Sequence, residues 1–331
     1  MARRFIVYGA GAVGGVIAAR LHLAGLPVVV IARGQHLAAI QRDGLTLETP
    51  DRTVTVPIPA LASPAELDWS EDDTVLLTVK SQDTERAVAD LAAVAPPSLV
   101  VICGQNGVAN EPTTLRRFEN TLAMWVIIPA THLVAGVVRV EAAPCPGIVD
   151  VGRYPRAADA AVEEMVVALR SAGFDSRGLA DVMRWKYAKL LMNLTNAVEA
   201  ICATPARDGV LARAVREEGV ACLEAAGIPY ASPEEEALRR GDLIRLRPVN
   251  GEKRGGSSTW QSLARHAGTS EVDYLNGEIV LLGRLHGVPA PANQLVQRLA
   301  NRMTRERAEP RSLDEAALLA ELSTRRGAAG V

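Results

Sequence analysis

The stretch from Arg4 to Ile31 constrains the fold more than any other part of the chain. Arg4 to Tyr8 is a short β-type run, and Gly9-Ala10-Gly11-Ala12-Val13-Gly14-Gly15 interrupts it. Apolar residues at helical spacing then continue from Val13 to Leu23, and a β-branched run, Pro27 to Ile31, follows. A change of period of this kind marks strand, turn, helix and strand. A second strand that is apolar on both faces belongs in a parallel sheet covered by helices. Gly9, Gly11 and Gly14 form G-x-G-x-x-G after the strand and at the opening of the helix, where the motif has a mechanism. Gly9 permits the tight turn, Gly11 lets backbone approach a pyrophosphate, and Gly14 allows close helix packing. Together with Ala10, Ala12 and Val13 they present a helix N-terminus to an anion, so these six residues are the candidate dinucleotide loop.

Further buried-strand candidates are Thr74 to Val79, Ser98 to Cys103 and Thr121 to Ile128, with a helix over Thr84 to Ala95. Alternation of strands and helices predicts a parallel sheet. The shorter pieces Val137 to Val140 and Ile148 to Val151 are expected to close one side of it. Helical periodicity then dominates in Ala157–Ser171, Asp181–Ala203, Arg207–Ala226, Pro233–Leu243 and Asp273–His286. The expected fold class is α/β, with an N-terminal Rossmann-type dinucleotide-binding domain over 1–180 and a mostly α-helical C-terminal domain over 181–331. A chain of 331 residues at 48% hydrophobic composition can bury cores for both.

Charge narrows the partners. Thirty-six Lys and Arg against 38 Asp and Glu leave a net charge of −2, too weak a field to gather nucleic acid or anionic lipid. A small molecule is the expected partner, and no membrane span is expected. Arg3 and Arg4 ahead of an apolar stretch imitate a signal peptide, but the glycine spacing accounts for that stretch better. The cysteines (Cys103, Cys145, Cys202, Cys222) are too far apart for a metal or redox pair, which suits a reducing cytoplasm. His22, His36, His132, His266 and His286 lack metal-ligand spacing, so no metal is expected and each reads as structural or exposed.

The second strand ends Ile31-Ala32-Arg33-Gly34 with no carboxylate to hold a ribose 2′-hydroxyl. Arg33 can instead pair a 2′-phosphate through its planar fork, which favours NADP(H) over NAD, and Arg42 offers a second contact. The alternative is a solvated loop arginine.

Five separated motifs resemble the ketopantoate reductase (2-dehydropantoate 2-reductase) family: GAGAVGG at Gly9–Gly15, TVKSQDT at Thr78–Thr84, GQNGV at Gly104–Val108, WKYAKLLMNLTNA at Trp185–Ala197, and SSTWQ with SEVDYLNG within Ser257–Gly277. Their order and spacing carry the resemblance over almost the whole chain. It implies NADPH-dependent reduction of ketopantoate to pantoate, in pantothenate biosynthesis, by hydride transfer to the C2 ketone in a cleft between the two domains. The apolar helical second half, with the long Asp181–Ala203 segment, suits a homodimer, and the expected compartment is the cytoplasm. The alternatives are the same chemistry on another 2-oxo acid or oxo ester, or a non-catalytic NADP(H) sensor.

The resemblance assigns the general acid to Lys189. Asn193 and Asn196 follow at i+4 and i+7 of one expected helix, within roughly 60° of one face at about 100° per residue. A ketone gaining hydride builds negative charge on oxygen, which an ammonium can stabilise and then protonate. Leu190, Leu191 and Met192 make the rest of the surface apolar, so the polar stripe calls for partners. Lys186, one turn earlier, competes for the role. By resemblance Ser258 and Glu271 bind substrate, Glu271 also approaches the cofactor, Asn106 lies near both nicotinamide and substrate, and Lys80 lies close to the cofactor. Asn196 falls seven residues after the lysine where the family more often has eight, and Ser258 and Glu271 are one residue further apart than its pattern.

Overall fold

The structure is a computed structural model that describes residues 3–156, 159–204, 209–252 and 254–329. Its strands are β1 (Phe5–Tyr8), β2 (Val28–Ile31), β3 (Leu45–Glu48), β4 (Thr53–Val56), β5 (Ala60–Leu61), β6 (Thr74–Leu77), β7 (Val100–Cys103), β8 (Thr121–Ile127), β9 (Ala130–Thr131), β10 (Val137–Val140) and β11 (Ile148–Arg153). The helices are α1 (Ala12–Leu23), α2 (Gly34–Asp43), α3 (Thr84–Ala92), α4 (Asn110–Leu115), α5 (Ala160–Ser171), α6 (Val182–Asn193), α7 (Thr195–Ile201), α8 (Val210–Ala225), α9 (Pro233–Arg240), α10 (Ser258–Ala264), α11 (Asn276–His286), α12 (Pro291–Glu306) and α13 (Glu315–Ala329). The expected helix starts at Ala157 and Arg207 lie outside the described residues.

A seven-stranded sheet in the order β11-β8-β7-β6-β1-β2-β5 forms the frame of the first unit. Its strands run parallel except β11, which pairs antiparallel with β8 from Ile148↔Ile127 to Arg153↔Leu122. Burial on both faces explains the unbroken apolar runs. Phe5 and Val7 join one core while Ile6, between them, joins the core on the other face with Val75, Leu77 and Phe118. Sequence periodicity anticipated six strands of this sheet, but neither β5 nor a second, four-stranded sheet in the order β4-β3-β10-β9. Thus Val137–Val140 does not close the main sheet as expected; it pairs with β3 and β9, and only the Ile148 segment takes the edge position. Helix α1 touches strands of both sheets, so Val16, Ile17, Ala18, Ala19 and Leu21 are all fully buried. A helix covered on both sides keeps little polar face, which is why α1 is apolar except for Arg20 and His22 in its last turn.

The chain forms two compact units, Met1–Lys186 with Ser232–Arg254, and Tyr187–Ala231 with Gly255–Val331. The division falls inside α6 rather than at 180/181, and the return segment 232–254 corrects the expected continuous second domain. Electrostatics explains the return. Asp150 of β11 is completely buried, and Arg239 of α9 answers it with Nε to Oδ2 at 2.7 Å and Nη2 to Oδ1 at 2.6 Å, plus a bond to Asp175 at 2.5 Å. Arg139 adds a 2.8 Å bond to Glu252. A buried carboxylate without such a partner would be costly.

The second unit is helical. The helix expected from Asp181 to Ala203 is interrupted at Leu194, whose carbonyl accepts from the Asn276 side chain at 3.1 Å, while Thr195 Oγ1 donates to Met192 O at 3.1 Å. Side-chain donors thus bond the backbone carbonyls on either side of the break between α6 and α7.

Candidate active site

In the first unit, adjacent strands β7, β6, β1 and β2 bring four sequence motifs to one sheet edge, at their carboxyl ends. Gly9 has φ +107°, and a Cβ there would lie 2.6 Å from Val79 N. At Gly14 a Cβ would collide with the Gly9 carbonyl and the Thr78 hydroxyl, which itself donates to Gly9 O at 2.8 Å. Each of these glycines is therefore dictated by backbone geometry or close approach. Gly11 differs, because a Cβ there would meet nothing within 4 Å. It caps α1 with no side-chain acceptor and no acidic residue in the first turn. Open space beside uncapped helix N–H groups fits a phosphate group, so Gly9, Ala10, Gly11, Ala12, Val13 and Gly14 suit a dinucleotide.

Lys80, half-buried, precedes the turn Ser81–Asp83 just beyond β6. Asn106 lies in the turn after β7, and its carbonyl accepts from Ser81 Oγ at 3.3 Å and Asn110 Nδ2 at 3.0 Å. Gln105 beside it is buried and donates to Thr84 Oγ1 at 3.2 Å. The TVKSQDT and GQNGV motifs are thus one hydrogen-bonded block. Arg33 is exposed at the end of β2, where Nη2 donates to Asp83 at 2.9 Å. An exposed ion pair of this kind is weak and readily exchanged for a phosphate. Arg42, also exposed, is bonded to its neighbour Asp43.

Lys186 is the cation of a buried ion pair. It is 3% exposed, donates to Gln105 O at 3.0 Å and is paired with the completely buried Glu111.

The second unit carries Lys189, half-buried on α6, with Asn193 one turn on and 5% exposed. Asn196 sits across the Leu194 interruption yet still donates to Asn193 Oδ1 at 3.3 Å. The Nδ2 of Asn193 is buried with no hydrogen-bond partner among the described residues, an expensive arrangement unless something else accepts from it. Ser258 opens α10, but its neighbour Ser257 is the cap: Ser257 Oγ accepts from Trp260 N at 3.3 Å and donates to Asn196 O at 3.0 Å. Glu271 stands half-buried ahead of the turn Val272–Tyr274.

Two residues that sequence reasoning missed brace this group. Glu199, 6% exposed on α7, accepts from Ser257 N at 2.9 Å and from Arg311 Nη2 at 2.5 Å. Arg311 also donates to Gly255 O at 2.8 Å and lies 5.6 Å from the Trp260 ring centre. The only signal was a carboxylate interrupting the apolar run Ala197-Val198-Glu199-Ala200-Ile201. Burial alone would raise the Glu199 carboxyl, but bonds from Ser257 and Arg311 outweigh it and hold the group below its ordinary value. A depressed folded value contributes stability that is complete above the ordinary glutamate range and lost as pH falls through the folded value. Glu199→Gln should therefore destabilise the protein by about 1.5–3 kcal/mol near neutrality. Thermal melts between neutral and acid pH should show that deficit shrinking on acidification; a constant deficit contradicts the assignment.

A parallel sheet with a glycine turn at a helix N-terminus, and a helical unit carrying a lysine–asparagine group, define a dinucleotide-binding reductase. The chain belongs to the ketopantoate reductase PanE/ApbA family, whose N-terminal part matches residues 5–156 and whose C-terminal part matches 181–304. It is 30% identical over 307 residues to the 2-dehydropantoate 2-reductase of Halobacterium salinarum, covering 87% of this chain and 94% of that protein. The 2-dehydropantoate 2-reductase of Pyrococcus horikoshii is 26% identical over 301 residues, covering 88% and 95%. A PanE/ApbA family ketopantoate reductase from Ralstonia eutropha JMP134 superposes with TM-score 0.75 at 29% identity, over 92% of this chain and 99% of that one. D-mandelate dehydrogenase, solved with NADH and anilino(oxo)acetate, shares the fold with TM-score 0.77 at 20% identity, again over 92% and 99%.

Proposed function

We propose that the protein is an NADPH-dependent reductase of ketopantoate, forming pantoate. The observation that carries this reading is the polar group formed by Lys189 and Asn193 of α6 with Asn196 at the start of α7, with the buried amide nitrogen of Asn193 left to bond a ligand. The names of the family's curated members support the substrate. The cofactor, held by the Gly9–Gly14 loop with Lys80 and Arg33, supplies a hydride when bound. Lys189 stabilises the growing charge on the carbonyl oxygen and delivers the proton to it. Asn193 and Asn196 orient the substrate by their amides, and Ser258 and Glu271 hold its carboxylate and hydroxyl groups. Glu271 and Asn106 also contact the cofactor.

The test is oxidation of NADPH and of NADH with ketopantoate and a panel of other 2-oxo acids. Turnover of ketopantoate with a preference for NADPH is expected. Arg33→Ala should cut that preference by about 10- to 100-fold, the worth of a charge-assisted bond to a 2′-phosphate. A wild type that prefers NADH overturns the cofactor assignment, and one that ignores ketopantoate while reducing another oxo acid overturns the substrate.

A further inference from the structure

His36 does more than fill space. It lies in the first turn of α2, three residues after Arg33, and its ring is partly buried. Both nitrogens are engaged: Nδ1 lies 2.9 Å from Gly136 N and Nε2 lies 2.7 Å from Ala10 O. A backbone N–H can only donate, so Nδ1 is an acceptor and carries no proton. The proton of the neutral ring is then on Nε2 and is donated to the Ala10 carbonyl. One imidazole thus links the glycine turn, the start of α2 and the loop between β9 and β10.

The anchor points are themselves fixed. Gly136 has φ +78°, a conformation suited to glycine, and its carbonyl accepts from Thr46 N at 2.9 Å. A second ring, His132, lies 4.2 Å from His36 at an interplanar angle of 49°, with its Nδ1 2.9 Å from Val137 O. The β9–β10 loop therefore supports the His36 ring, and the His36 ring supports the turn.

We propose that His36 is a positioning residue for dinucleotide binding. The peptide joining Ala10 to Gly11 is a rigid trans plane in which C=O and N–H point in opposite directions. Drawing the Ala10 carbonyl toward His36 therefore fixes the direction of the Gly11 N–H, at the point where the glycine motif opens the helix. Without that bond the peptide can rotate, and the loop must reorder each time a dinucleotide binds. The inference rests on the dinucleotide reading of the Gly9–Gly14 loop and assigns His36 no chemical step.

Binding, rather than turnover, tests it. The dissociation constant of NADPH is measured by calorimetric titration for wild type, His36→Phe and His36→Gln, beside thermal melts of each. Phe keeps a flat ring but neither bond, and should weaken NADPH about tenfold, equivalent to roughly 1.4 kcal/mol. Gln offers one donor and one acceptor and should recover most of the affinity. Lowered melting temperature with unchanged NADPH affinity in the Phe variant overturns the proposal, because the role is then only structural. Equal weakening by Phe and Gln overturns it too, since the bonds would not matter. A wild type that binds no NADPH overturns the cofactor reading and this inference together, so the two failures are distinguishable.

Discussion

Replacing Lys189 with alanine is expected to lower kcat for oxo-acid reduction by about 10²–10³, the usual cost of removing one donor to a developing oxyanion. NADPH affinity should change little, because the candidate dinucleotide loop lies in the first unit, at the carboxyl ends of β1, β2 and β6, and Lys189 belongs to the second. Since hydride transfer creates the charge that the ammonium stabilises, the loss should fall on kcat rather than on substrate KM. Lys189→Arg separates charge from proton donation: a guanidinium keeps the charge but does not release a proton near neutral pH. It should recover only part of the rate. Steady-state kinetics on the three proteins, each first shown to bind NADPH, decides the matter. An alanine variant within fivefold of the wild-type kcat removes Lys189 from the chemistry.

Local signals in the sequence carried the reading as far as local physics reaches. The strand-turn-helix opening was legible because a glycine with positive φ, a glycine under a carbonyl and a helix start all leave marks in consecutive residues. The strands of the parallel sheet were legible because burial on both faces makes them apolar without alternation. The second sheet was not: Leu45–Glu48 is a four-residue strand that pairs with Val137–Val140, about 90 residues away, and Thr53–Val56 joins the sheet only through Leu45–Glu48. The membership of α9 was equally hidden, since a helix with a charged face reads the same whichever unit it packs on. The buried Asp150 and its pairing with Arg239 reveal its place, as does the Arg184–Glu235 pair. At the candidate site, Lys189, Asn193 and Asn196 stood out against apolar neighbours. His36 and Glu199 did not, because a backbone carbonyl at Ala10 and a backbone N–H at Ser257 are partners that no sequence spells out.

The two lysines of α6 also predict opposite phenotypes. Glu111→Ala leaves the Lys186 ammonium, 3% exposed, with the neutral Gln105 carbonyl as its remaining acceptor among the described residues. Leaving a buried charge uncompensated costs about 3–5 kcal/mol, enough to lower the melting temperature by on the order of 10 °C in a unit of this size. Lys186→Met strands Glu111 instead, and should be destabilising to a similar degree. Removing both partners, as Glu111→Leu with Lys186→Met, eliminates both buried charges and should restore stability to near the wild-type value. If Lys186 is structural, that double variant keeps kcat within about tenfold of wild type, far from the two or three decades lost with Lys189→Ala. Calorimetric melts and steady-state rates on the single and double variants read both quantities at once. A stable double variant with no turnover would transfer the acid role to Lys186; a double variant as unstable as either single would show that the pair does not account for the stability of this part of the fold.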